Sequence, residues 1–137
     1  MTLYMIELPV RDLSASLAWY RDYLGLTVER IDPERPFALL RSAGGSWLAL
    51  KQYESPMLPG SGHDRSSTVL QSIRVHFHVN DLEQTLAQLE VSDPEWKISP
   101  EGYRRALLTD PDGYSVVLFE WLQPGTGSST RGSPGGP

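Results

Sequence analysis

The chain contains the same short pattern twice. Val10-Arg11-Asp12-Leu13 returns 69 positions on as Val79-Asn80-Asp81-Leu82. In both places an alternating run leads into the element and a helical spacing leads out of it. Self-similarity at a fixed interval marks one supersecondary unit used twice, so any fold for this chain has to be built from two like modules. Asp12 and Asp81 stand where a helix N-cap belongs, because a carboxylate there accepts from backbone N–H groups that have no partner within the helix. After Asp12, the residues Leu13, Leu17, Tyr20 and Leu24 recur at i, i+4, i+7 and i+11, one apolar stripe that predicts a helix closed by Gly25. After Asp81 the stripe is Leu82, Leu86 and Leu89, and Asp93-Pro94 is expected to end it. Both helices should lie on a sheet.

Short strand-like runs follow each helix. In the first half they are Leu26–Ile31, Phe37–Arg41 and Trp47–Lys51, with Gly44-Gly45 suited to a hairpin turn. In the second half they are Trp96–Ile98, Tyr103–Thr109 and Tyr114–Trp121. Asp110-Pro111-Asp112-Gly113 joins the last two, and Pro at i+1 with Gly at i+3 suits a type I turn. Strand, helix and three strands, twice over, predict an α+β fold of two βαβββ modules with the helices outside the sheet. Residues 1–122 read as a single domain, with module one at about 1–52, a connection at about 53–71 and module two at about 72–122. The connection is long for a compact domain, which reads as a linker or a functional flap. Residues 123–137 are Gln123 followed by Gly, Pro, Ser and Thr with one Arg, with no large apolar side chain after Leu122. They cannot bury enough surface to offset the entropy of ordering, so a disordered tail is expected.

Composition removes several function classes. Twelve basic and seventeen acidic side chains give a net charge of -5 without any block of Lys or Arg, which argues against phosphate-driven nucleic-acid binding. The absence of cysteine excludes disulfides, thiolate nucleophiles and Cys-based zinc sites, and is compatible with a reducing compartment. No run approaches a membrane span and the first ten residues lack the pattern of a signal peptide. The expectation is a cytoplasmic protein that binds neither nucleic acid nor membrane.

The segment Leu8-Pro9-Val10-Arg11-Asp12-Leu13 through Trp19-Tyr20-Arg21-Asp22-Tyr23-Leu24-Gly25-Leu26 resembles the opening module of the glyoxalase/bleomycin-resistance/extradiol-dioxygenase superfamily, also called vicinal oxygen chelate. Val75-His76-Phe77-His78-Val79-Asn80-Asp81-Leu82 and Asp110-Pro111-Asp112-Gly113-Tyr114 agree with its second module. The resemblance spans about residues 3–122. It implies paired βαβββ modules whose mixed sheet curls, barrel-like, around a cavity, and frequently a homodimer. In metal-dependent members four positions supply His, Gln or Glu ligands; carried over, they fall on Met5, Ala49, Arg74 and Val117. As a set these cannot hold a divalent ion, which wants imidazole or carboxylate donors. No metal and no cofactor are expected, and metal-dependent glyoxalase or ring-cleaving activity is put in doubt.

Strand parity then gives a list of what faces inward. Met5, Glu7 and Pro9 alternate with Ile6, Leu8 and Val10; Arg74, His76 and His78 alternate with Ile73, Val75, Phe77 and Val79. Trp47, Ala49 and Lys51 share one face of their strand, and Val117, Phe119 and Trp121 share one of theirs. The ligand-binding set is therefore Glu7, Trp47, Lys51, Arg74, His76, His78, Phe119 and Trp121, an aromatic wall with a few polar groups of the kind that small-molecule sites use. The leading function is a metal-independent binding protein of the bleomycin-resistance type, holding a small molecule in a cavity between the modules. The alternative is an enzyme of the same superfamily, a lyase, isomerase or dioxygenase. It would use Glu7, His76 and His78 as an unusual metal site, or His76 as a general base oriented by Glu7. A third class, a structural module, corresponds to a cavity filled by its own aromatic rings. Each residue also has a plainer reading. Glu7 and Arg74 read equally as an ion pair, and Trp47 and Trp121 as rim or dimer-interface residues. The two histidines read as structural, and Trp19 as packing. His63 with Asp64 read as loop residues, and Tyr103, Arg104 and Arg105 as a solvated edge cluster with room for one of them at the cavity mouth.

Overall fold

The computed structural model describes residues 1–53 and 73–122. The connection, with His63 and Asp64, and the tail therefore lie outside the described residues. The order is β1 (Ile6–Val10), α1 (Leu13–Ala18), a π-helical turn (Trp19–Tyr23), β2 (Thr27–Asp32), β3 (Phe37–Arg41) and β4 (Trp47–Gln52). It then runs through β5 (Arg74–His78), α2 (Leu82–Gln88), β6 (Lys97–Ile98), β7 (Tyr103–Thr109) and β8 (Ser115–Trp121). The strands form two four-stranded mixed sheets, ordered β1-β4-β3-β2 and β5-β8-β7-β6. Each is the same permutation of a βαβββ module, so the α+β reading and the repeat hold. No helix among the described residues is long and apolar enough to cross a membrane.

The repeat reaches the level of single hydrogen bonds. Asp12 accepts from the Ala15 N–H at 3.3 Å and Asp81 from the Gln84 N–H at 3.0 Å, so both are N-caps. The next free donor is also met in the same way in both modules. The Leu13 N–H donates to Gln52 Oε1 at 2.7 Å, and the Leu82 N–H to Glu120 Oε1 at 2.6 Å. In each case the last strand of the module satisfies the helix start. Three tight turns share one geometry too: Gly45 N–H donates to Ser42 O, Gly102 to Ser99 O and Gly113 to Asp110 O, at 2.9, 3.0 and 3.0 Å. Gly113, at φ 100°, supplies the left-handed residue that follows a type I turn in such hairpins.

Two helix expectations need correction. The first stripe does not run as one α-helix to Leu24. After Ala18 the backbone widens, with Leu24 N–H donating to Trp19 O and Leu26 N–H to Tyr20 O. This widened turn leaves Tyr20 fully buried and Leu24 only partly so. The second helix ends at Gln88, not at Asp93-Pro94. Glu90 takes φ 59° while its N–H donates to Ala87 O and that of Val91 to Leu86 O. This is the Schellman closure, with a glutamate where glycine is favoured. Glu90→Gly is accordingly expected to stabilise the protein by about 1 kcal/mol by removing the left-handed penalty. Unchanged thermal unfolding would refute it.

Among the described residues, 1–53 and 73–75 together with 109–116 form one compact unit, and 76–108 with 117–122 the other. In the first unit α1 packs on β3 and β4, over a core of Leu8, Val10, Leu40, Leu48 and Leu50. The Asp110–Gly113 turn is tied into this unit by a buried polar node. Tyr20 Oη donates to Asp110 Oδ2 at 2.7 Å, and Asp110 Oδ1 accepts from the N–H groups of Asp112 and Tyr114, both at 2.9 Å. Asp112 accepts from the Arg11 N–H and Nη1, each at 3.0 Å, and from Ser16 Oγ at 3.1 Å. Tyr114 Oη donates to Pro9 O at 2.7 Å.

Burial governs the ionisation of this node. It pushes the Asp110 carboxyl up despite three donors, raises Tyr20 further still, with Asp110 beside it, and carries Tyr114 up to about 12. For the tyrosines the sign is fixed by linkage: above pH ~10 the unfolded chain loses phenolic protons that the folded chain keeps. Their contribution is therefore complete below pH ~10 and lost as pH rises towards 12. Urea unfolding between pH 8 and pH 11 should show a fall in stability above pH ~10 that is shallower in Tyr20→Phe. Equal slopes in the two proteins would show that Tyr20 does not couple to folding.

Candidate functional site

Backbone register settles which side chains share a face. In the first unit Glu7 lies beside Ala49 and Pro9 beside Lys51. Leu39 lies beside Ala49, Phe37 beside Lys51 and Arg41 beside Trp47. The other parity, Leu8, Val10, Ala38, Leu40, Leu48 and Leu50, is buried beneath α1. Glu7, Trp47 and Lys51 therefore occupy the face turned away from the helix, as parity predicts. Ala49, 0% exposed at its centre, makes that floor apolar.

The polar groups on this face have protein partners. Glu7 accepts from Tyr53 Oη at 3.0 Å, and the Lys51 ammonium lies 5.3 Å from the centre of the Tyr53 ring. No Glu7–Arg74 ion pair is present among the described residues, so that reading is replaced by Tyr53, one residue past β4, which sequence reasoning passed over. Trp47 lies 6.1 Å from the Tyr4 ring, with the Arg41 guanidinium 5.7 Å from its own centre. Arg41 is itself held by Glu29 through contacts of 2.9 and 2.8 Å.

The second unit gathers rings. Phe119 is the hub: His78 stands 5.3 Å from it, Tyr103 5.2 Å, Trp121 5.3 Å and His76 6.2 Å between ring centres. Tyr103 also meets Trp121 edge-on at 5.5 Å. His76, His78, Phe119 and Trp121 are thus brought onto one face, as parity expects. Tyr103 joins them, against the reading of residues 103–105 as one solvated cluster. The three split by alternation. Tyr103 and Arg105 lie on the ring face. Arg104 lies on the other, 3.3 Å from Glu120 and 4.7 Å from the centre of Trp96. Since Glu120 caps α2, the ring face is again the one without the helix. Trp121 is 55% exposed and Phe119 half-buried, so the cluster has a solvent-accessible side.

The four positions at which the superfamily's metal-dependent members carry ligands hold Met5, Ala49, Arg74 and Val117. Ala49 and Val117 are both 0% exposed and bring only hydrocarbon. This donor set does not fit a divalent cation. Among the described residues no group of three His, Asp or Glu side chains stands together in a way that could hold one.

With this geometry in view, the comparison with known proteins is decisive at the family level. The family model of the Glyoxalase/Bleomycin resistance protein/Dioxygenase superfamily matches residues 2–118. The chain belongs to that superfamily. Several solved structures share the fold. TnmS3, an antibiotic binding protein from Streptomyces sp. CB03234, superposes with a TM-score of 0.66 at 20% identity, over 88% of this chain and 96% of that one. A lactoylglutathione lyase from Agrobacterium tumefaciens gives 0.64 at 23% identity, over 87% and 92%. An integron cassette protein from the Halifax Harbour sewage outfall metagenome gives 0.65 at 17%, over 87% and 97%. No curated sequence matches significantly. Proteins that share this fold thus include both an antibiotic binding protein and a lyase, and the residues on the open faces have to decide between such roles.

Proposed function

We propose that this superfamily member is a metal-independent small-molecule-binding protein, its ligand lying against the open, helix-free faces of the sheets. The observation that carries the reading is the exchange of the four metal-ligand positions for Met5, Ala49, Arg74 and Val117, of which Ala49 and Val117 are fully buried hydrocarbon. The rings around Phe119, and Trp47 on the first sheet, supply the flat apolar surface that a planar molecule needs, and Glu7, Lys51, Arg74, His76 and His78 supply polar selection. An antibiotic binding protein of the same fold is in keeping with this use of the scaffold. A small molecule is accordingly the proposed partner, with the protein acting in the cytoplasm, as a homodimer.

The test is metal content of the purified, untagged protein, followed by thermal-shift titration with iron(II), manganese(II), zinc and nickel. The expected outcome is sub-stoichiometric metal and no saturable rise in melting temperature with any ion. A bound ion that stabilises the fold would overturn the reading and move attention to Glu7, His76 and His78 as ligands.

A further inference from the structure

The ring face of the second sheet carries a charge pattern that narrows the ligand class, on the footing of the binding function just proposed. Its aromatic centre is Phe119, Trp121 and Tyr103, flanked on β5 by His76 and His78. On the other flank Arg105 shares the Tyr103 face by alternation, and Lys97 lies beside Arg105 in the β6–β7 register. None of the described acids of this unit is a strand residue of that face. Glu120 is on the opposite face, capping α2 and pairing with Arg104. Asp81 caps the same helix, and Glu83 lies in its first turn. Glu90, Asp93 and Glu95 follow α2, outside every strand. Glu101 sits in the turn before β7, hydrogen-bonded to Ser99 and close enough to Arg105 to feel its charge.

We infer that the second sheet's open face selects a planar aromatic anion, its rings against Phe119, Trp121 and Tyr103 and its carboxylate or phenolate towards Arg105 and Lys97. A neutral aromatic would gain the rings and nothing from the cations. A cationic one would meet Arg105 and Lys97, and no described strand residue of that face is acidic. A guanidinium holds a carboxylate through two parallel N–H donors, and charge-assisted bonds of that kind are among the stronger polar contacts available to a half-exposed site.

Three probes of one shape separate ring from charge: 2-naphthoate, 2-naphthylmethanol and 2-naphthylmethylammonium, each titrated calorimetrically into the full chain. Aromatic-proton chemical shifts would locate the site. The expected result is 2-naphthoate binding about tenfold or more tighter than the alcohol, a difference of the size that one charge-assisted bond supplies. The ammonium should bind weakest. The Phe119 and Trp121 rings should shift on binding. Arg105→Gln, with an unchanged melting curve, should bring 2-naphthoate down to the alcohol's affinity and leave the alcohol unaffected. Trp121→Leu should weaken both. If alcohol and acid bind alike, or the ammonium binds tightest, the charge inference falls while the binding function stands. If no probe binds and no ring shifts, both fall. Ring shifts that follow protein concentration rather than probe would overturn the inference in favour of a second copy on this face.

Discussion

Replacing Asp112 by alanine is expected to destabilise the protein by about 3–5 kcal/mol, read as a lower midpoint of urea unfolding at unchanged slope. The carboxylate is 4% exposed and serves three donors from α1 and from Arg11, two residues before it: the Arg11 N–H, the Arg11 guanidinium and Ser16 Oγ. Its loss strands all three. The Arg11 side chain is the costliest, since its Nε and Nη2 are already buried without partners and only Nη1 is satisfied. Asp112→Asn keeps an acceptor for the backbone N–H but not the charge, and should fall between. A loss below about 1 kcal/mol in the alanine variant would mean that water replaces the carboxylate and that the node is not what ties the turn to the helix.

The second large effect is expected at Glu120, where the repeat provides its own control. Glu120→Ala removes the acceptor of the Leu82 N–H and the partner of Arg104, whose Nε is also buried without a partner; about 2–3 kcal/mol should be lost. Gln52 performs the capping half of this task in the first module with an amide oxygen and no ion pair. Glu120→Gln should therefore retain the cap and lose only about 1 kcal/mol, and Gln52→Ala should lose about the same. Parallel chemical denaturation of the three variants gives the comparison. Equal losses in Glu120→Gln and Glu120→Ala would place the whole effect in the ion pair and remove the cap from the account.

Much of this was legible from spacing alone. Period-two alternation placed β3 and β7 at their observed limits, because a strand with one face buried tolerates no slip of register. The N-cap aspartates and the Asp110–Gly113 turn were legible because their chemistry is local. What escaped depends on distant partners. The widened turn at Trp19–Tyr23 has the same stripe as a plain helix, and the partner that holds Tyr20 is Asp110, 90 positions away. Glu90 in the left-handed region gives no composition signal, since glutamate is not the residue expected there. Tyr103 was only partly legible for a different reason. Charge groups residues 103–105 at a strand edge without saying which of them turns inward, whereas alternation divides them between two faces. Applied there, the same rule would have added Tyr103 and Arg105 to the ring face. The polar partner of Glu7 was missed because Tyr53 lies just beyond its strand.

The node around Asp110 and Asp112 also has a bearing on the order in which the chain can fold. The first compact unit takes in residues 109–116, and its polar ties join positions 90 to 105 apart. Contacts of such long sequence separation slow folding, because the intervening loop must close before they form. During synthesis, the amino-terminal half would leave the ribosome with α1 lacking the acceptors of Ser16 and Tyr20, and would wait for the last hairpin to arrive. A nascent chain halted before residue 109 should thus be open to protease at α1, and one extended past residue 116 protected. The last hairpin would act as the latch on the first helix.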